Sequence, residues 1–471
     1  MRLVELTGVL LCLLVVTACG QLKPRPDLRQ LYDFGMTKAE QPPLIVIPGV
    51  LGSRLADSRT GELLWPGRWH DILTSNYRNL ALEIDPVTLE PLPSPLYPEG
   101  LTETALGRDF YGQLIRTLEV YGGFERGQPG KAVTHKGRRY YIFAYDWRQD
   151  NVLTAGKLDA LINQIRLDYN DPALKVDILA HSMGGLITRY YLRYGTTDVL
   201  NNNDFPVNLH GAARINKVIQ LGTPNLGSAS SLHGFLTGVP VVRRIPTEVL
   251  ATMPSGYQLF PHPLNDWLVN IRGKPLERDL FDVDVWKRFE WSVFDPQVIA
   301  KLGQNHPDPQ YVNTLHRYFE KRLERARRFV WSLTVPLPEN PIRLIVFGGD
   351  CEMTPARLLV EEVDGESRVR LHPDDIKNPL PGVDYQRLML EPGDGRVTKP
   401  ALLGRNALDP TVPRHRYSHF PLAYSFFLCE AHDRLSGNIN FQDNLLNVLL
   451  SRDAGGFNKA TVKSSQPSGT P

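Results

Sequence analysis

One serine in this sequence has the local surroundings of a hydrolase nucleophile. Ser182 lies in the segment KVDILAHSMGGLITRYY, between a β-branched run typical of a strand and a pattern typical of an amphipathic helix. Ala180 and Gly184 are small enough for the sharp strand-to-helix turn that exposes a serine hydroxyl. The string A-x-S-x-G also occurs by chance, and a serine at an ordinary helix N-cap is the alternative interpretation. The strand before it and the helix after it favour a nucleophile.

A serine hydroxyl needs a base to take its proton and an acid to orient that base. After a turn of this kind, the acid is expected next along the chain and the histidine last. Asp394 lies between two glycines in EPGDGRV, and Asp350 directly follows an apolar run in FGGDCE. The local sequence does not separate these two candidates for the acid.

Three histidines compete for the role of the base. His432 follows the apolar run SFFLCEA and precedes the last amphipathic helix, which predicts a position at the carboxyl end of a strand. His415 and His419 come before that strand in the basic connection RHRYSHF, where surface or packing roles are typical. The sequence favours His432.

Acyl chemistry also needs backbone N–H groups that stabilise an oxyanion. Met183 follows the serine and supplies one candidate amide. The second is expected from a glycine loop after an early strand, and LIVIPGVLGSRL contains one; we nominate the Val50 amide. A glycine turn after a strand is ordinary by itself, so this assignment depends on the serine turn.

Elements that would position these residues alternate along the chain. Apolar runs predict buried strands of a parallel sheet at 44–49, 139–147, 175–182, 216–224, 342–350 and 423–432. Helical spacing of apolar residues follows the second run in TAGKLDALINQIRLDY and ends the chain's ordered part in NINFQDNLLNVLLSR. The alternation predicts an α/β doubly wound, mostly parallel sheet.

About 115 residues separate Gly227 from the strand near Pro341, too many for a simple connection. Four of the seven tryptophans lie there, namely Trp267, Trp286, Trp291 and Trp331. They could fill a small core, or form a cap whose apolar surface receives acyl chains. The charged, Pro-rich stretch 352–390 is predicted to be a surface excursion. The predicted organisation is a signal peptide at 1–19, a tether at 20–42, the first part of the core at 43–228, a cap or lid insertion at 229–340, the second part of the core at 341–452 and a disordered tail at 453–471.

The first nineteen residues, MRLVELTGVLLCLLVVTAC, read as an export signal, because the apolar stretch is too short to span a bilayer. Their end, VTAC, resembles a bacterial lipobox, so Cys19 is expected to carry lipid; simple secretion is the alternative. This predicts a lipid-anchored envelope protein, at the outer membrane in a Gram-negative cell. A formal net charge of +2 gives no electrostatic case for nucleic acid.

Two cysteines, Cys351 and Cys429, remain after the signal segment. Outside the cytoplasm they could form a disulfide, or they could be buried free thiols, and the sequence alone does not decide.

Taken in order, these motifs resemble the lecithin:cholesterol acyltransferase family, which includes lysosomal phospholipase A2 and phospholipid:diacylglycerol acyltransferase. The resemblance runs from about Pro43 to the last helix, on PPLIVIPGVLGSRL, YDWR at 145–148, AHSMGG, LGTPNLGS at 221–228, GDGRV at 393–397 and the final histidine. It implies an α/β-hydrolase fold with a cap insertion.

The resemblance also implies roles for single residues. It favours Asp394 over Asp350 as the acid, His432 as the base and Val50 as an oxyanion donor. Substrate or lid candidates are Leu51, Trp65 and Trp69. The chain departs from the family at Arg396, where the family has threonine, and it lacks the cysteines that close the lid in animal members.

The expected activity is acyl transfer from a phospholipid or other lipid ester through an acyl-enzyme on Ser182. Water as the acceptor gives a lipase or phospholipase, and an alcohol gives an acyltransferase. We expect no metal or organic cofactor, no required protein partner, and contact with a membrane surface through the N-terminal lipid. The alternatives are a lipid-binding envelope lipoprotein without turnover and an esterase for small soluble esters.

Overall fold

The computed structural model describes most of the chain with seven ranges of residues, 25–33, 41–68, 74–105, 107–135, 137–335, 342–404 and 423–450. Several predictions from the sequence lie outside these ranges. They concern the signal segment with Cys19, the tail at 453–471, Trp69, His415 and His419.

Short strands make up the β structure. In chain order they are β1 Leu44–Ile47, β2 Ser53–Asp57, β3 Leu63–Trp65, β4 Leu96–Leu101, β5 Thr104–Ala105, β6 Arg108–Asp109, β7 Glu125–Arg126, β8 Arg139–Ile142, β9 Val176–His181, β10 Ile215–Leu221, β11 Val239–Pro240, β12 Arg244–Ile245, β13 Leu268–Asn270, β14 Arg343–Gly349, β15 Glu352–Pro355, β16 Leu358–Val363, β17 Glu366–Arg370, β18 Leu390–Gly393 and β19 Tyr424–Leu428.

Helices lie between and around the strands. They are α1 Leu28–Asp33, α2 Gly112–Arg116, α3 Asn151–Asp168, α4 Met183–Tyr194, α5 Ala229–Thr237, α6 Thr247–Leu250, α7 Pro254–Tyr257, α8 Val283–Arg288, α9 Pro296–Asn305, α10 Tyr311–Ser332, α11 Tyr385–Met389, α12 Lys399–Leu403 and α13 Ile439–Leu450. A π-helical turn at Thr117–Tyr121 and 3₁₀ turns at Arg78–Leu80, Ala212–Arg214, Ser292–Phe294, Pro373–Asp375 and His432–Gly437 complete them.

The central sheet has seven strands in the order β19-β14-β10-β9-β1-β8-β7. Every neighbouring pair in it is parallel. Each of the six predicted strands is present in it, so the predicted α/β-hydrolase sheet is confirmed. The sequence did not predict β7, a two-residue strand at the edge, or the smaller sheets.

Alternation along the central strands divides their side chains between two cores. In β1, Ile45 and Ile47 belong to one buried cluster, while Leu44 and Val46 belong to the other. All four side chains are buried. Helix α3 packs on the first face and α13 on the second. Burial on both faces is why these strands read as unbroken apolar runs.

Within the predicted insertion, residues 229–335 form helices around a dense aromatic core. Trp286 is fully buried, stacks on Phe260 at 5.6 Å and meets Trp291 edge-on at 5.6 Å. Phe319 of α10 contacts Trp286 at 4.9 Å. These tryptophans therefore fill a core, which is the first of the two interpretations made from the sequence.

Polar contacts join α10 to the central domain. The guanidinium of Arg325 lies 2.7 Å from Asp150 and 2.9 Å from Asp198. Arg189 of α4 donates to the Leu333 carbonyl oxygen at 2.7 Å. This part of the insertion is thus held firmly against the sheet layer.

Part of the segment predicted as a tether is folded. Leu28 of α1 is buried, and the Tyr32 hydroxyl donates to the Asp443 carbonyl oxygen at 2.7 Å. Residues 25–33 therefore lie against α13. Among the described residues, none of the helices is both long enough and apolar enough to cross a membrane.

Candidate active site

Ser182 forms the turn between β9 and α4. Its backbone has φ 52° and ψ −122°, a conformation that costs a non-glycine residue on the order of 1 kcal/mol. The Ser182 N–H donates to the Leu221 carbonyl oxygen of β10 at 2.8 Å, which anchors the turn to the next strand. This is the strained strand-to-helix turn that the sequence predicted.

The glycines after Met183 allow α4 to approach the sheet closely. A methyl group at Gly184 would lie 2.8 Å from the Pro48 carbonyl oxygen. At Gly185 it would lie 2.0 Å from Thr223 Oγ1, well inside van der Waals contact. The pair Gly-Gly thus lets the helix sit directly against the loops that follow β1 and β10.

The structure brings Ser182, His432 and Asp394 together from three distant parts of the chain. Ser182 Oγ lies 3.0 Å from His432 Nε2, and His432 Nδ1 lies 2.8 Å from Asp394 Oδ2. In the arrangement that serves catalysis, the serine hydroxyl donates to Nε2 while Nδ1–H donates to the carboxylate. The three residues therefore form one continuous hydrogen-bonded chain.

Asp394 is buried and its carboxylate is fully engaged. Its Oδ1 accepts the backbone N–H groups of Arg396 at 3.0 Å and Val397 at 2.7 Å. Arg396 is itself exposed, so its contact with the acid is made by the backbone. The other candidate acid, Asp350, instead pairs with Lys399 Nζ at 2.8 Å. Geometry therefore favours Asp394, as the family resemblance implied.

The stretch predicted as a surface excursion supports the acid. Its first strand, β15, pairs antiparallel with β18, which ends at Gly393 immediately before Asp394. Thr354 Oγ1 accepts the Gly395 N–H at 2.8 Å. The excursion thus contributes to the position of the loop that carries the carboxylate.

His432 begins a 3₁₀ turn after β19 and is held on several sides. A methyl group at Gly222 would lie 3.0 Å from His432 Cε1, so the glycine of LGTP makes room for the imidazole. Three residues earlier, Cys429 forms a disulfide with Cys351 at a Cα–Cα separation of 4.9 Å. This settles the pairing that the sequence left open, and it links the end of β19 to the end of β14.

The loop after β1 lies directly beside the serine. A methyl group at Gly49 would come within 2.8 Å of Ser182 Cβ. Residues 49–52 form a turn closed by the Gly52 N–H and the Gly49 carbonyl oxygen at 3.1 Å. Within the described part of the chain, the Val50 N–H has no hydrogen-bond acceptor, and Val50 is 38% exposed. An amide that has no acceptor and lies beside Ser182 is available to an oxyanion.

Met183 is the first residue of the 12-residue helix α4, and Ser182 is its N-cap. The amide of a first helical residue has no acceptor within its own helix, and the helix dipole favours negative charge there. Met183 directly follows Ser182, and Val50 directly follows Gly49, which lies against Ser182. Both amides predicted from the sequence are therefore beside the serine.

Trp65 and Leu51, nominated as substrate or lid candidates, contact each other. Trp65 is buried, and its indole N–H donates to the Leu51 carbonyl oxygen at 2.8 Å. Its ring meets Trp147 edge-on at 5.6 Å. Leu51 has φ 63°, a left-handed conformation that this indole bond helps to hold. Trp65 therefore supports the loop at residues 49–52.

Arg148 of the YDWR motif has a structural environment. It is fully buried, binds both oxygens of Asp146 at 2.8 Å and donates to the Leu80 carbonyl oxygen at 3.2 Å. These buried contacts give the motif a structural role.

Sequence reasoning missed His181, Tyr111 and Gly222. His181 Nδ1 lies 2.6 Å from the Tyr111 hydroxyl, which also accepts the Gly49 N–H at 3.0 Å. His181 carried a signal, since it is a titratable residue directly before Ser182. Tyr111 carried none, because its partners are about 60 and 70 residues away along the chain.

Metal ligands do not cluster in this part of the protein. Across the seven described ranges, no group of three or more His, Cys, Asp or Glu side chains is arranged to hold a metal ion.

Comparisons with known proteins address the fold and the family. The crystal structure of the Tle4-Tli4 complex contains a chain with a TM-score of 0.54 and 15% identity to this one, covering 86% of this chain and 97% of that chain. The mature lipase BlEst2 of Bacillus licheniformis has a TM-score of 0.33 and 11% identity, covering 88% and 93%. The Staphylococcus hyicus lipase has a TM-score of 0.31 and 14% identity, covering 88% and 98%. No curated protein matches the chain.

A family match covers a long internal segment that includes Ser182. Residues 135–345 match the family described as lecithin:cholesterol acyltransferase. Asp394, His432 and Val50 lie outside the matched segment, so their assignment depends on the geometry above. The match supports lipid acyl hydrolysis or acyl transfer as the class of reaction. The resemblance predicted from the sequence is confirmed as a family match over residues 135–345, a little under half of the chain.

Proposed function

We propose that this protein is a serine-dependent lipid acyl hydrolase or acyltransferase that works through an acyl-enzyme. The observation that carries the proposal is the hydrogen-bonded chain from Ser182 Oγ through His432 to Asp394, with links of 3.0 and 2.8 Å. These distances are within the range expected of a nucleophile, its base and an orienting carboxylate.

In the first half-reaction His432 Nε2 takes the proton of Ser182 as Oγ attacks the ester carbonyl carbon. The negative charge that develops on the carbonyl oxygen is stabilised by the Val50 and Met183 amides, each expected to contribute about 10²–10³ in rate. The tetrahedral intermediate collapses, and His432 gives its proton to the leaving alkoxide. Asp394 remains ionised and stabilises the imidazolium.

In the second half-reaction the acceptor loses its proton to His432 and attacks the acyl-enzyme. Water as acceptor yields a free fatty acid, whereas an alcohol yields a new ester. In both routes the bond between the acyl carbon and Ser182 Oγ breaks and His432 returns the proton to Oγ, so the same residues serve a phospholipase and an acyltransferase. A phospholipid or another lipid ester is the proposed donor, supported by the family match over 135–345.

We also propose that the protein is exported and anchored to the bacterial envelope by lipid on Cys19. Support comes from the apolar stretch and the VTAC sequence at 16–19. Growth of cells with a labelled fatty acid should label the wild type and leave Cys19→Ser unlabelled. Equal labelling of the two proteins would contradict the anchor.

The test of the activity uses purified protein and phosphatidylcholine vesicles that carry a labelled acyl chain, with and without a long-chain alcohol. Wild type should release label as fatty acid, as an alcohol ester or as both. Ser182→Ala should lose turnover, while Ser58→Ala, at an exposed serine, should keep it. A fluorophosphonate should label wild type and Ser58→Ala only. Undiminished turnover by Ser182→Ala would refute the mechanism.

A further inference from the structure

The mechanism leaves one ionisable side chain of the site without a role. His181 is the last residue of β9 and directly precedes Ser182. Its ring centroid lies 5.0 Å from that of His432, with the planes inclined by 36°. On the other side it meets the Tyr111 ring edge-on at 5.6 Å. It thus lies between the base and a tyrosine of α2's N-terminus.

Hydrogen bonding fixes how His181 is protonated. The Gly49 N–H donates to the Tyr111 hydroxyl oxygen at 3.0 Å, and this oxygen lies 2.6 Å from His181 Nδ1. The Tyr111 hydroxyl therefore donates its hydrogen to Nδ1. Because Nδ1 acts as the acceptor, the ring proton of His181 is on Nε2. Burial, and next the charge of His432, lower the pKa of His181 to about 3. The imidazole is neutral at neutral pH.

The far side of His181 faces the loop of the base. Its Nε2 is buried and makes no well-formed hydrogen bond within the described residues. Since Nδ1 is occupied by Tyr111, the contact of His181 with the base on this side is the one between the two imidazole rings, whose centroids lie 5.0 Å apart.

The near side of His181 reaches the oxyanion loop through Tyr111. Gly49 lies close to both Ser182 and His181. A methyl group added at Gly49 would be 2.8 Å from Ser182 Cβ and 3.2 Å from His181 Nδ1. The next residue is Val50, the proposed oxyanion donor. A hydrogen bond that holds the Gly49 amide therefore helps to set the direction of the Val50 amide.

We propose that His181 is a positioning residue. Together with the Tyr111 hydroxyl, it holds the oxyanion loop (residues 49–52) and the base loop (which carries His432) against the end of β9, next to Ser182. The inference rests on the function proposed above and assigns no proton transfer to His181. Its neutrality matters as well, because a charged ring 5.0 Å from His432 would oppose the imidazolium that forms when Ser182 attacks.

Single substitutions can separate the two links. Tyr111→Phe removes the hydroxyl that joins Gly49 to His181, and His181→Ala removes the whole bridge. His181→Asn keeps an acceptor close to the place of Nδ1. Tyr140→Phe is the matched control, because its hydroxyl also comes from a buried tyrosine of the same core cluster but donates to Glu119 at 2.7 Å.

The experiment measures kcat and KM of each variant on the labelled phosphatidylcholine vesicles, the rate of fluorophosphonate labelling, and the thermal unfolding midpoint. Tyr111→Phe and His181→Ala should lower kcat by roughly 10- to 100-fold with KM within about twofold, since a small misplacement of reacting groups has that effect. Their labelling rates should fall in parallel. His181→Asn should recover most of the kcat lost in His181→Ala, and Tyr140→Phe should keep kcat within about twofold.

Two results would overturn the inference. One is an unchanged kcat in Tyr111→Phe, and the other is an equal loss of kcat in Tyr111→Phe and Tyr140→Phe at matched thermal midpoints. The function itself is tested separately by Ser182→Ala. If that variant is inactive while Tyr111→Phe is fully active, the proposed function stands and only the positioning role fails.

Discussion

Asp394 and His432 are joined by two hydrogen bonds, one between side chains and one between backbones. His432 Nδ1 lies 2.8 Å from Asp394 Oδ2, and the His432 N–H donates to the Asp394 carbonyl oxygen at 2.9 Å. The loop that carries Asp394 and the loop that carries His432 are therefore bonded to each other at two points. Since the ring is fixed at Nδ1 and at its own backbone, Nε2 is left pointing at Ser182 Oγ, 3.0 Å away.

We expect Asp394→Asn to lower kcat by about 10³–10⁴-fold with little change in folding. An asparagine amide can donate to Nδ1, which would place the ring proton on Nε2, where the serine needs an acceptor. The measurement is hydrolysis of the labelled phospholipid at pH 7.5 together with the thermal midpoint. Asp350→Asn is the matched control, since Asp350 pairs with Lys399 and not with His432. A loss in Asp350→Asn as large as in Asp394→Asn would mean that the acid is wrongly assigned.

We expect Gly222→Ala to impair His432 directly. The residue has φ 61°, and a Cβ there would lie 3.0 Å from His432 Cε1, so the ring must shift away from Ser182. A fall in kcat of roughly 10- to 100-fold is expected, with a loss of stability on the order of 1 kcal/mol from the backbone conformation. Steady-state kinetics and urea unfolding measure the two effects.

Gly365→Ala is the control for this prediction. It has φ 82° and no atom within 4 Å of an added Cβ, so it introduces the same backbone strain without a contact. It should lose similar stability and keep its activity. If both variants lose kcat alike, contact with His432 is not the cause.

The sequence was sufficient for the parts of the molecule that have a local signature. Buried parallel strands leave unbroken apolar runs, so β1, β9 and β10 were found with errors of a few residues at their ends. Ser182 was found because the small residues beside it report a sharp turn. Arg396 departs from the family's threonine two residues after Asp394, and its hydrogen bond to that carboxylate comes from the backbone.

The parts that were missed depend on contacts between distant residues. Nothing near Tyr111 reports that its hydroxyl will join Gly49 to His181. The same holds for the pairing of β15 with β18, which turned a predicted surface excursion into support for the acid loop. Short antiparallel strands are set by such partners more than by their own pattern.

We expect the Cys351–Cys429 bond to stabilise the base loop. It closes a separation of 78 residues and lies three residues before His432. Cys351→Ser combined with Cys429→Ser should therefore lower the free energy of unfolding by about 2–4 kcal/mol. Activity should fall at temperatures where the wild type is still fully active. Denaturant unfolding with and without a phosphine reductant provides the measurement.

The reductant supplies the control. It should lower the stability of wild type toward that of the double variant and leave the double variant unchanged. Equal stability of wild type and variant under oxidising conditions would show that the bond contributes nothing to the folded state.

The last prediction concerns the stability of the protein at low pH. Burial lowers the pKa of His262 to about 3, and the charge of Arg189 adds to the effect. Burial likewise lowers the pKa of His181 to about 3 and that of His233 to about 4. In the unfolded chain each histidine has its ordinary pKa of about 6.5. At pH values between its lowered pKa and 6.5, each is therefore neutral in the folded protein and protonated in the unfolded chain. The unfolded state binds more protons, so stability is complete above about pH 6.5 and is lost as the pH falls toward 3.

For a single such histidine the loss at pH 5 is on the order of 2 kcal/mol. His262→Asn isolates one of them, because an asparagine oxygen can accept the Leu264 N–H that His262 Nδ1 accepts at 3.1 Å. The ring of His262 also packs on the ring of Trp331, with 4.7 Å between centroids. The variant loses this contact and is expected to be less stable than wild type at pH 8. The informative quantity is therefore the slope of unfolding free energy between pH 7 and pH 5, measured in urea at constant ionic strength. This slope is proportional to the number of protons taken up on unfolding, and that number should be smaller in His262→Asn by up to one. Parallel slopes for the two proteins would show that His262 does not remain neutral in the folded state.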